Sequence, residues 1–221
     1  MTHGNKSIHL LLGKYPIADT SITPTPIHQL KRLSILLGYN IYIKREDLTG
    51  FTLGGNKNRK LYYLIGDAIS KGFDTLITTG IHFNKILHAC GSTATQVGLV
   101  LGNIVTNNNS TIIGIAISQN KKIQIERIHK LAQSTASMLD ISDNKSSIKV
   151  DDKFLGSGYS IPSKEGINAT KLFATYEGIL LDSVYTAKAT AGLIHYAQNK
   201  LFNKDDNILF IHTRGNSGLF C

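Results

Sequence analysis

The chain alternates between short β-rich apolar runs and longer runs whose apolar residues recur at helical spacing. The short runs are typical of strands and cover residues 41–45, 75–79, 85–89, 111–117 and 207–212. The longer runs predict helices over residues 57–71, from 91–95 through 101, and over 121–138, 164–177 and 187–201. Residues 142–152 are polar and predict a loop. Strands that alternate with helices indicate an α/β fold with a mainly parallel sheet flanked by helices.

The composition is that of an ordinary soluble globular protein. Of the 221 residues, 42% are hydrophobic and 18% are charged, close to average usage. No apolar run approaches the roughly 20 residues that cross a bilayer, and residues 1–14 hold only a short apolar patch, so we expect neither a membrane partner nor a signal peptide. Cys90 and Cys221 are too few for a disulfide framework, which favours a cytoplasmic location. His82, His88 and Cys90 have no recognised metal-ligand spacing, so we interpret them as structural and predict no metal.

The net charge of +9 raises the alternative of a nucleic-acid partner. The lysines and arginines are scattered, however, and there is no basic tail and no interleaving of basic and aromatic residues. We therefore expect no nucleic acid and interpret the charge as a basic surface that attracts anionic metabolites. A basic nucleic-acid-binding protein stays open as the alternative from another functional class.

Lys57 is the first candidate for chemistry, because it closely follows the pair Gly54-Gly55 and opens a predicted helix. Glycines let the backbone approach a bound group, and a lysine amine can bind an aldehyde covalently. Taken alone the motif is weak, since any surface lysine at a helix start has the same pattern.

Residues 91–95, Gly-Ser-Thr-Ala-Thr, are the second candidate, since they follow a predicted strand and open a predicted helix. Backbone N–H groups at a helix N-terminus suit a phosphate dianion. The alternative is a plain helix cap made by Ser92 or Thr93.

Several stretches, taken in order along the chain, resemble one family. They are residues 24–26, 42–50, 54–61, 156–159, 177–182, 184–186 and 208–213. The family is that of the pyridoxal-phosphate enzymes related to D-cysteine desulfhydrase and 1-aminocyclopropane-1-carboxylate (ACC) deaminase. The resemblance implies fold type II, pyridoxal 5′-phosphate as cofactor and a small amino acid as substrate.

The resemblance also implies site residues. Lys57 is similar to the lysine that binds the cofactor and moves the substrate α-proton, and Asn56 precedes it in the same motif. Tyr159 and Tyr185 match two tyrosines that line the family's substrate pocket, and Thr213 matches a loop that approaches the cofactor ring. The implied phosphate-binding loop consists of Gly91, Ser92, Thr93, Ala94 and Thr95.

Some positions depart from the family pattern. The family's loop resembles Gly-Ser-Gly-Gly-Thr, and here Thr93 and Ala94 replace the two inner glycines. If the backbone needs a positive φ at either position, the side chain there is strained. Thr186 stands where ACC deaminases carry a glutamate, which favours the desulfhydrase side. Arg214 replaces an expected glycine.

The largest departure lies between residues 80 and 91, where a substantial part of the family's smaller domain is absent. Asn84 is either a remnant of that part or a residue of the strand before Gly91, and we prefer the second alignment. The family's serine is missing under both alignments, so we do not expect ACC deamination. We expect a large domain from residues 1–56 and 86–221, and a remnant of the small domain at 57–85.

The resemblance implies a lyase that converts D-cysteine to pyruvate, sulfide and ammonia, and we expect the chain to form a homo-oligomer, a dimer. The alternative within the family is an impaired or inactive remnant. The missing part would expose a strand edge and open one wall of the site to water.

Overall fold

A computed structural model describes residues 22, 24–49, 81–141 and 148–213. Strands and helices alternate along these ranges. The strands are β1 (Ile27–Gln29), β2 (Asn40–Arg45), β3 (Lys85–Cys90), β4 (Thr111–Ala116), β5 (Lys149–Asp151) and β6 (Asn207–His212). The helices are α1 (Lys31–Leu37), α2 (Ala94–Val105), α3 (Lys121–Met138), α4 (Lys164–Glu177) and α5 (Thr186–Gln198), and a 3-10 turn covers Glu46–Leu48.

The described strands form one sheet in the order β1-β2-β6-β3-β4-β5. β1 runs antiparallel to β2, and every other neighbouring pair is parallel. Ile208 of β6 pairs with Ile41 of β2 on one side and with Lys85 of β3 on the other. The last described strand therefore lies between two earlier ones, and the predicted mainly parallel α/β fold is confirmed.

Helices cover both faces of the sheet, as parallel sheets require. On one face, Leu87 of β3 packs with Phe173 of α4 and Leu193 of α5 in the larger core. On the other face, Cys90 of β3 packs with Ile128 of α3 in a second core. Strand β3 contributes to both cores because successive side chains of a strand point to opposite faces of the sheet.

The helix ends follow from local sequence. Asn120 caps α3, because its Oδ1 accepts a hydrogen bond from the Ile123 N–H at 3.0 Å. The Ser163 hydroxyl caps α4 in the same way through the Gly166 N–H at 3.1 Å. Helix α4 ends at Gly178, whose φ of 65° is a left-handed conformation that glycine adopts without a Cβ penalty.

Most predicted elements within the described ranges are confirmed. Helices α3 and α4 have the predicted bounds, and β2, β3, β4 and β6 differ from prediction by at most one residue. The helix that opens at residues 91–95 begins at Ala94 and runs beyond residue 101 to Val105.

Two predictions are wrong in part. The predicted loop at 142–152 contains strand β5, an edge strand in which Val150 alone is buried, so no apolar pattern marks it. The helix predicted over 187–201 begins at Thr186 and ends at Gln198, because Lys200 adopts a φ of 54° that a helix cannot contain.

Other predictions concern residues that the structure does not describe. The predicted helix at 57–71, the predicted strand at 75–79 and residues 142–147 lie outside the described ranges. The same holds for residues 57–80 of the predicted small-domain remnant. No helix in the described ranges has the length and apolar character needed to cross a membrane.

We predict that Gly114→Ala destabilises the fold. A Cβ on Gly114 of β4 would lie 2.5 Å from Gln96 Oε1 and 2.9 Å from Cys90 Cβ. Both neighbours are buried, so helix α2 or strand β3 has to shift. Overpacking of this kind costs about 1–3 kcal/mol, which urea denaturation would record as a lower free energy of unfolding.

Gly98→Ala is the matched control in helix α2, where an added Cβ meets nothing within 4 Å. Alanine favours a helix interior over glycine by about 1 kcal/mol, so this variant should be at least as stable as the parent. Equal stability of Gly114→Ala and the parent would contradict the packing argument.

Candidate active site

The candidate site lies where the parallel strands end. Strand β3 ends at Cys90 and leads into Gly91, and strand β6 ends at His212 and leads into Thr213. Ile211 pairs with His88, so Gly91 and Thr213 leave the sheet at the same edge. Open α/β sheets bind ligands beyond the carboxyl ends of their strands.

The loop at Gly91 is packed closely from two sides. A Cβ on Gly91 would lie 3.0 Å from Ile117 Cδ1 and 3.5 Å from Tyr185 Cε1. The buried Gln124 of α3 holds the loop, because its Nε2 donates to the carbonyl oxygens of Gly91 at 2.8 Å and of Cys90 at 3.1 Å. The predicted loop and the predicted catalytic Tyr185 therefore lie next to each other, close enough for an added methyl group at Gly91 to touch the ring.

Thr93 adopts a φ of 69° and ψ of −27° at the position before helix α2. A β-branched residue is rare at positive φ, so the strain expected of a side chain at this position is present. Ala94 is the first residue of the helix and is not among the described residues with positive φ. One of the two departures from the glycine pattern therefore carries backbone strain.

The N-terminus of α2 fits a phosphate group. Thr93 precedes the helix, and its own side chain accepts no hydrogen bond from the first turn. The alternative of a plain cap made by Thr93 is therefore wrong. The first N–H groups of a helix have no partner within the helix, and a phosphate satisfies such groups and the positive end of the helix dipole.

The two predicted tyrosines contact each other. The Tyr159 and Tyr185 hydroxyls form a hydrogen bond, and their rings lie perpendicular with centroids 5.9 Å apart. The Tyr159 side chain is half exposed, with 50% of its surface accessible. Because the Tyr185 ring lies 3.5 Å from the position of a Cβ added to Gly91, the tyrosine pair is adjacent to the candidate phosphate loop.

Asp182 fixes the backbone that carries Tyr185. Its Oδ1 accepts hydrogen bonds from the N–H groups of Val184 at 3.1 Å and Tyr185 at 2.7 Å. Its Oδ2 accepts from the Thr186 N–H at 3.0 Å and the Thr186 hydroxyl at 2.6 Å. This buried carboxylate therefore caps helix α5, where it is favoured by the helix dipole.

Cys90 and His88 lie buried behind the loop, as their structural interpretation requires. Burial raises the pKa of the Cys90 thiol to about 11, against the opposing hydrogen bond from Gln124. Burial also lowers the pKa of His88, whose ring bonds to Gln96 and to the Ala89 carbonyl. A thiol with so high a pKa is a poor nucleophile. No group of three or more potential metal ligands occurs in the part of the chain that the structure describes.

Two predicted site residues, Asn56 and Lys57, lie outside the described residues. The structure brings the others to one edge of the sheet: the loop residues Gly91, Ser92, Thr93, Ala94 and Thr95, the tyrosines Tyr159 and Tyr185, and Thr213.

Sequence reasoning missed the supporting residues Gln124, Asp182 and Lys188. Asp182 lies four residues before Thr186, whereas the start signal of a helix is expected directly before it. Gln124 and Lys188, whose Nζ donates to the carbonyl oxygens of Leu155 and Gly158, act on backbone carbonyl groups, which leave no trace in a sequence.

Comparison with known proteins identifies the family. The sequence model described as "Pyridoxal-phosphate dependent enzyme" matches residues 79–214. The chain is 29% identical to the D-cysteine desulfhydrase of Salmonella paratyphi C (strain RKS4594) over 95% of this chain and 97% of that protein. It is 27% identical to the D-cysteine desulfhydrase of Yersinia enterocolitica serotype O:8 over 95% of this chain and 96% of that protein.

A solved structure described as an ACC deaminase homologue has a TM-score of 0.85 and 25% identity, with 98% of this chain and 96% of that chain covered. The alignment with the Salmonella protein runs over 318 positions although this chain has 221 residues, so the difference of at least 97 positions has no counterpart here. The expected internal shortening is therefore real. The matched residues include the strand, loop and helix that build the candidate phosphate site, and the chain belongs to the family of pyridoxal-phosphate dependent enzymes.

Proposed function

We propose that the chain is a carbon–sulfur lyase that converts D-cysteine to pyruvate, sulfide and ammonia. The observation that carries the proposal is the proximity of Tyr185 to Gly91, which places a pair of hydrogen-bonded phenols beside the candidate phosphate loop. The relatives named D-cysteine desulfhydrase support the choice of substrate.

The described residues suit the binding part of this reaction. Bound pyridoxal phosphate supplies a conjugated ring that stabilises negative charge at the substrate α-carbon. The N–H groups at the start of α2 would hold the phosphate, and Thr213 would border the ring. Lys57 would bind the aldehyde and remove the α-proton as general base.

The tyrosine pair would assist departure of the sulfur. Two hydrogen-bonded phenols give one O–H that donates to its partner and one that is left to donate elsewhere. The second O–H would donate to the leaving sulfur of D-cysteine. We assign this role to Tyr159, because its side chain is half exposed, and the donor role within the pair to Tyr185.

Residue 186 supports desulfhydration rather than ACC deamination. The Thr186 hydroxyl donates to Asp182 Oδ2 at 2.6 Å and accepts from the Asp182 N–H at 3.0 Å. The Thr186 side chain is buried, and both of these hydrogen bonds are to Asp182, before helix α5. It therefore offers no carboxylate to a substrate at the position where ACC deaminases carry glutamate.

The second candidate is an impaired member of the family. The alignment with the Salmonella relative covers 318 positions, whereas this chain has 221 residues. At least 97 positions of that alignment therefore have no residue in this chain. Thr93 also strains the candidate phosphate loop. In this proposal residues 57–85 are what is left of the small domain, and the open site admits water. A homodimer and a cytoplasmic location stay predictions.

The two candidates differ in cofactor chemistry and turnover. We expect the purified chain to take up pyridoxal phosphate with a visible absorption band that borohydride removes, and peptide mass mapping to find the reduced adduct on Lys57. Lys57→Ala should lack the adduct, whereas Lys60→Ala controls for loss of a nearby lysine. A Lys57 adduct without release of sulfide from D-cysteine would favour the impaired member.

Tyr159→Phe tests the role of the phenols. Loss of a proton donor of this kind lowers kcat by about 10²–10⁴-fold, and we expect a smaller effect on KM. Tyr176→Phe on helix α4 is the control outside the pair. Unchanged kcat for sulfide release by Tyr159→Phe would exclude the phenol from the chemical step.

Thr93→Gly should stabilise the chain. The left-handed conformation costs a residue with a Cβ about 1–2 kcal/mol, whereas glycine gives back about 0.5–1 kcal/mol through its greater freedom when unfolded. We expect a net gain of about 0.5–1 kcal/mol in the free energy of unfolding, read from urea denaturation.

Ala94→Gly provides the matched control one residue further along. Ala94 is the first helical residue and is not among the positive-φ residues, so glycine there should destabilise by about 0.5–1 kcal/mol. Two variants with the same sign of change would refute the strain argument.

A further inference from the structure

Lys188 is a fully buried cation with backbone partners. Lys188 lies in helix α5, and 0% of its surface is exposed. Its Nζ donates to the carbonyl oxygens of Leu155 and Gly158, each at 2.7 Å. Within the described residues it forms no ion pair, and burial lowers the pKa of its ammonium group. Burying an ammonium group without an opposite charge costs free energy of folding, so its hydrogen-bond partners point to a role for this lysine.

Both carbonyl groups belong to one turn, the segment of residues 155–158, which leads directly into Tyr159. The turn lies close to the ammonium group, since a Cβ on Gly156 would be 3.9 Å from Lys188 Nζ and 3.1 Å from Ser163 Cβ. Gly156 has a φ of 65° and Gly158 a φ of 149°. These conformations suit glycine, and they turn both carbonyl groups toward one donor.

Helix α5 therefore fixes both phenols of the pair. Asp182 holds the Tyr185 backbone at the start of the helix, and Lys188, two residues into it, holds the turn before Tyr159. The hydrogen bond between the two hydroxyls closes this arrangement. Without the ammonium group, the two part-buried carbonyl oxygens lose their described donor, which costs free energy to the extent that water cannot replace it.

We propose that Lys188 is a positioning residue that clamps the turn at residues 155–158 and thereby holds the Tyr159 hydroxyl against Tyr185. The catalytic consequence rests on the proposed function, but the position of the turn does not. A residue that fills space alone would be replaceable by a neutral group of the same length. A clamp of two carbonyl oxygens needs N–H donors.

The chain has no tryptophan, so one introduced by Ile161→Trp reports on this turn alone. Ile161 is exposed and its Cδ1 lies 3.7 Å from a Cβ placed on Gly158. In this background, Lys188→Ala removes the clamp and Lys171→Ala, an exposed lysine of α4, removes an equal charge elsewhere. The readouts are fluorescence anisotropy and acrylamide quenching of the tryptophan.

We expect lower anisotropy and stronger quenching in Lys188→Ala and no change in Lys171→Ala. Added n-propylammonium, which replaces the atoms lost from the lysine, should reverse the change in proportion to its concentration, whereas n-propanol should not. Unchanged fluorescence in Lys188→Ala, or equal rescue by n-propanol, would overturn the proposal. If Lys188→Ala does not fold, Lys188→Met in the same background gives the comparison, since its side chain is unbranched, neutral and without an N–H donor. We expect lower anisotropy and stronger quenching in this variant too, and unchanged fluorescence would overturn the proposal.

Turnover separates this proposal from the proposed function. With D-cysteine as substrate, kcat of Lys188→Ala should fall on the order of 100-fold, the loss expected when a catalytic group shifts by about 1 Å, and should recover with n-propylammonium. Absence of sulfide release in every variant, together with the expected fluorescence, would reject the D-cysteine activity and leave the clamp supported. Full turnover by Lys188→Ala would overturn the clamp as a positioning device.

Discussion

The parallel pairing of β3 with β6 is the constraint on which the site depends. His88 and Ile211 are far apart in sequence, and their pairing brings the loop at Gly91 and the residue Thr213 to one edge of the sheet. Neither segment forms a site alone. Because parallel strands end on the same side, one register decides which side chains meet, and a register shift would separate them.

Much of the fold could be predicted, because hydrophobic periodicity records how each segment is buried. Strand β4, which is buried from Ile112 to Ala116, and the amphipathic helix α3 carry such a record and were predicted closely. Strand β5 carries none, since only Val150 of its residues is buried, and its pairing with β4 depends on backbone groups. The short β1 and α1 likewise offer too few residues for a period to be recognised.

The site was predictable only in part, and for a related reason. Gly91 and Tyr185 were found as separate motifs, but their proximity depends on the packing of α5 against β3, to which no local pattern points. Gln124 and Lys188 were not found, because each acts on carbonyl oxygens and any residue supplies a carbonyl. Strain at Thr93 was predicted only for the case that its φ is positive. The sequence does not give this angle, and the structure shows that it is 69°.

Strain and shortening have different consequences for this fold. The described sheet is complete from β2 to β5, and each of its faces carries a core, so the shortening leaves the scaffold of the candidate site standing. The backbone strain at Thr93, by contrast, lies within the loop itself. Asp182 and Lys188 hold the backbone beside the phenols through charge-assisted hydrogen bonds. The supports of the tyrosine pair are therefore intact where the candidate phosphate loop is strained, so any loss of function should appear first in binding of the phosphate group.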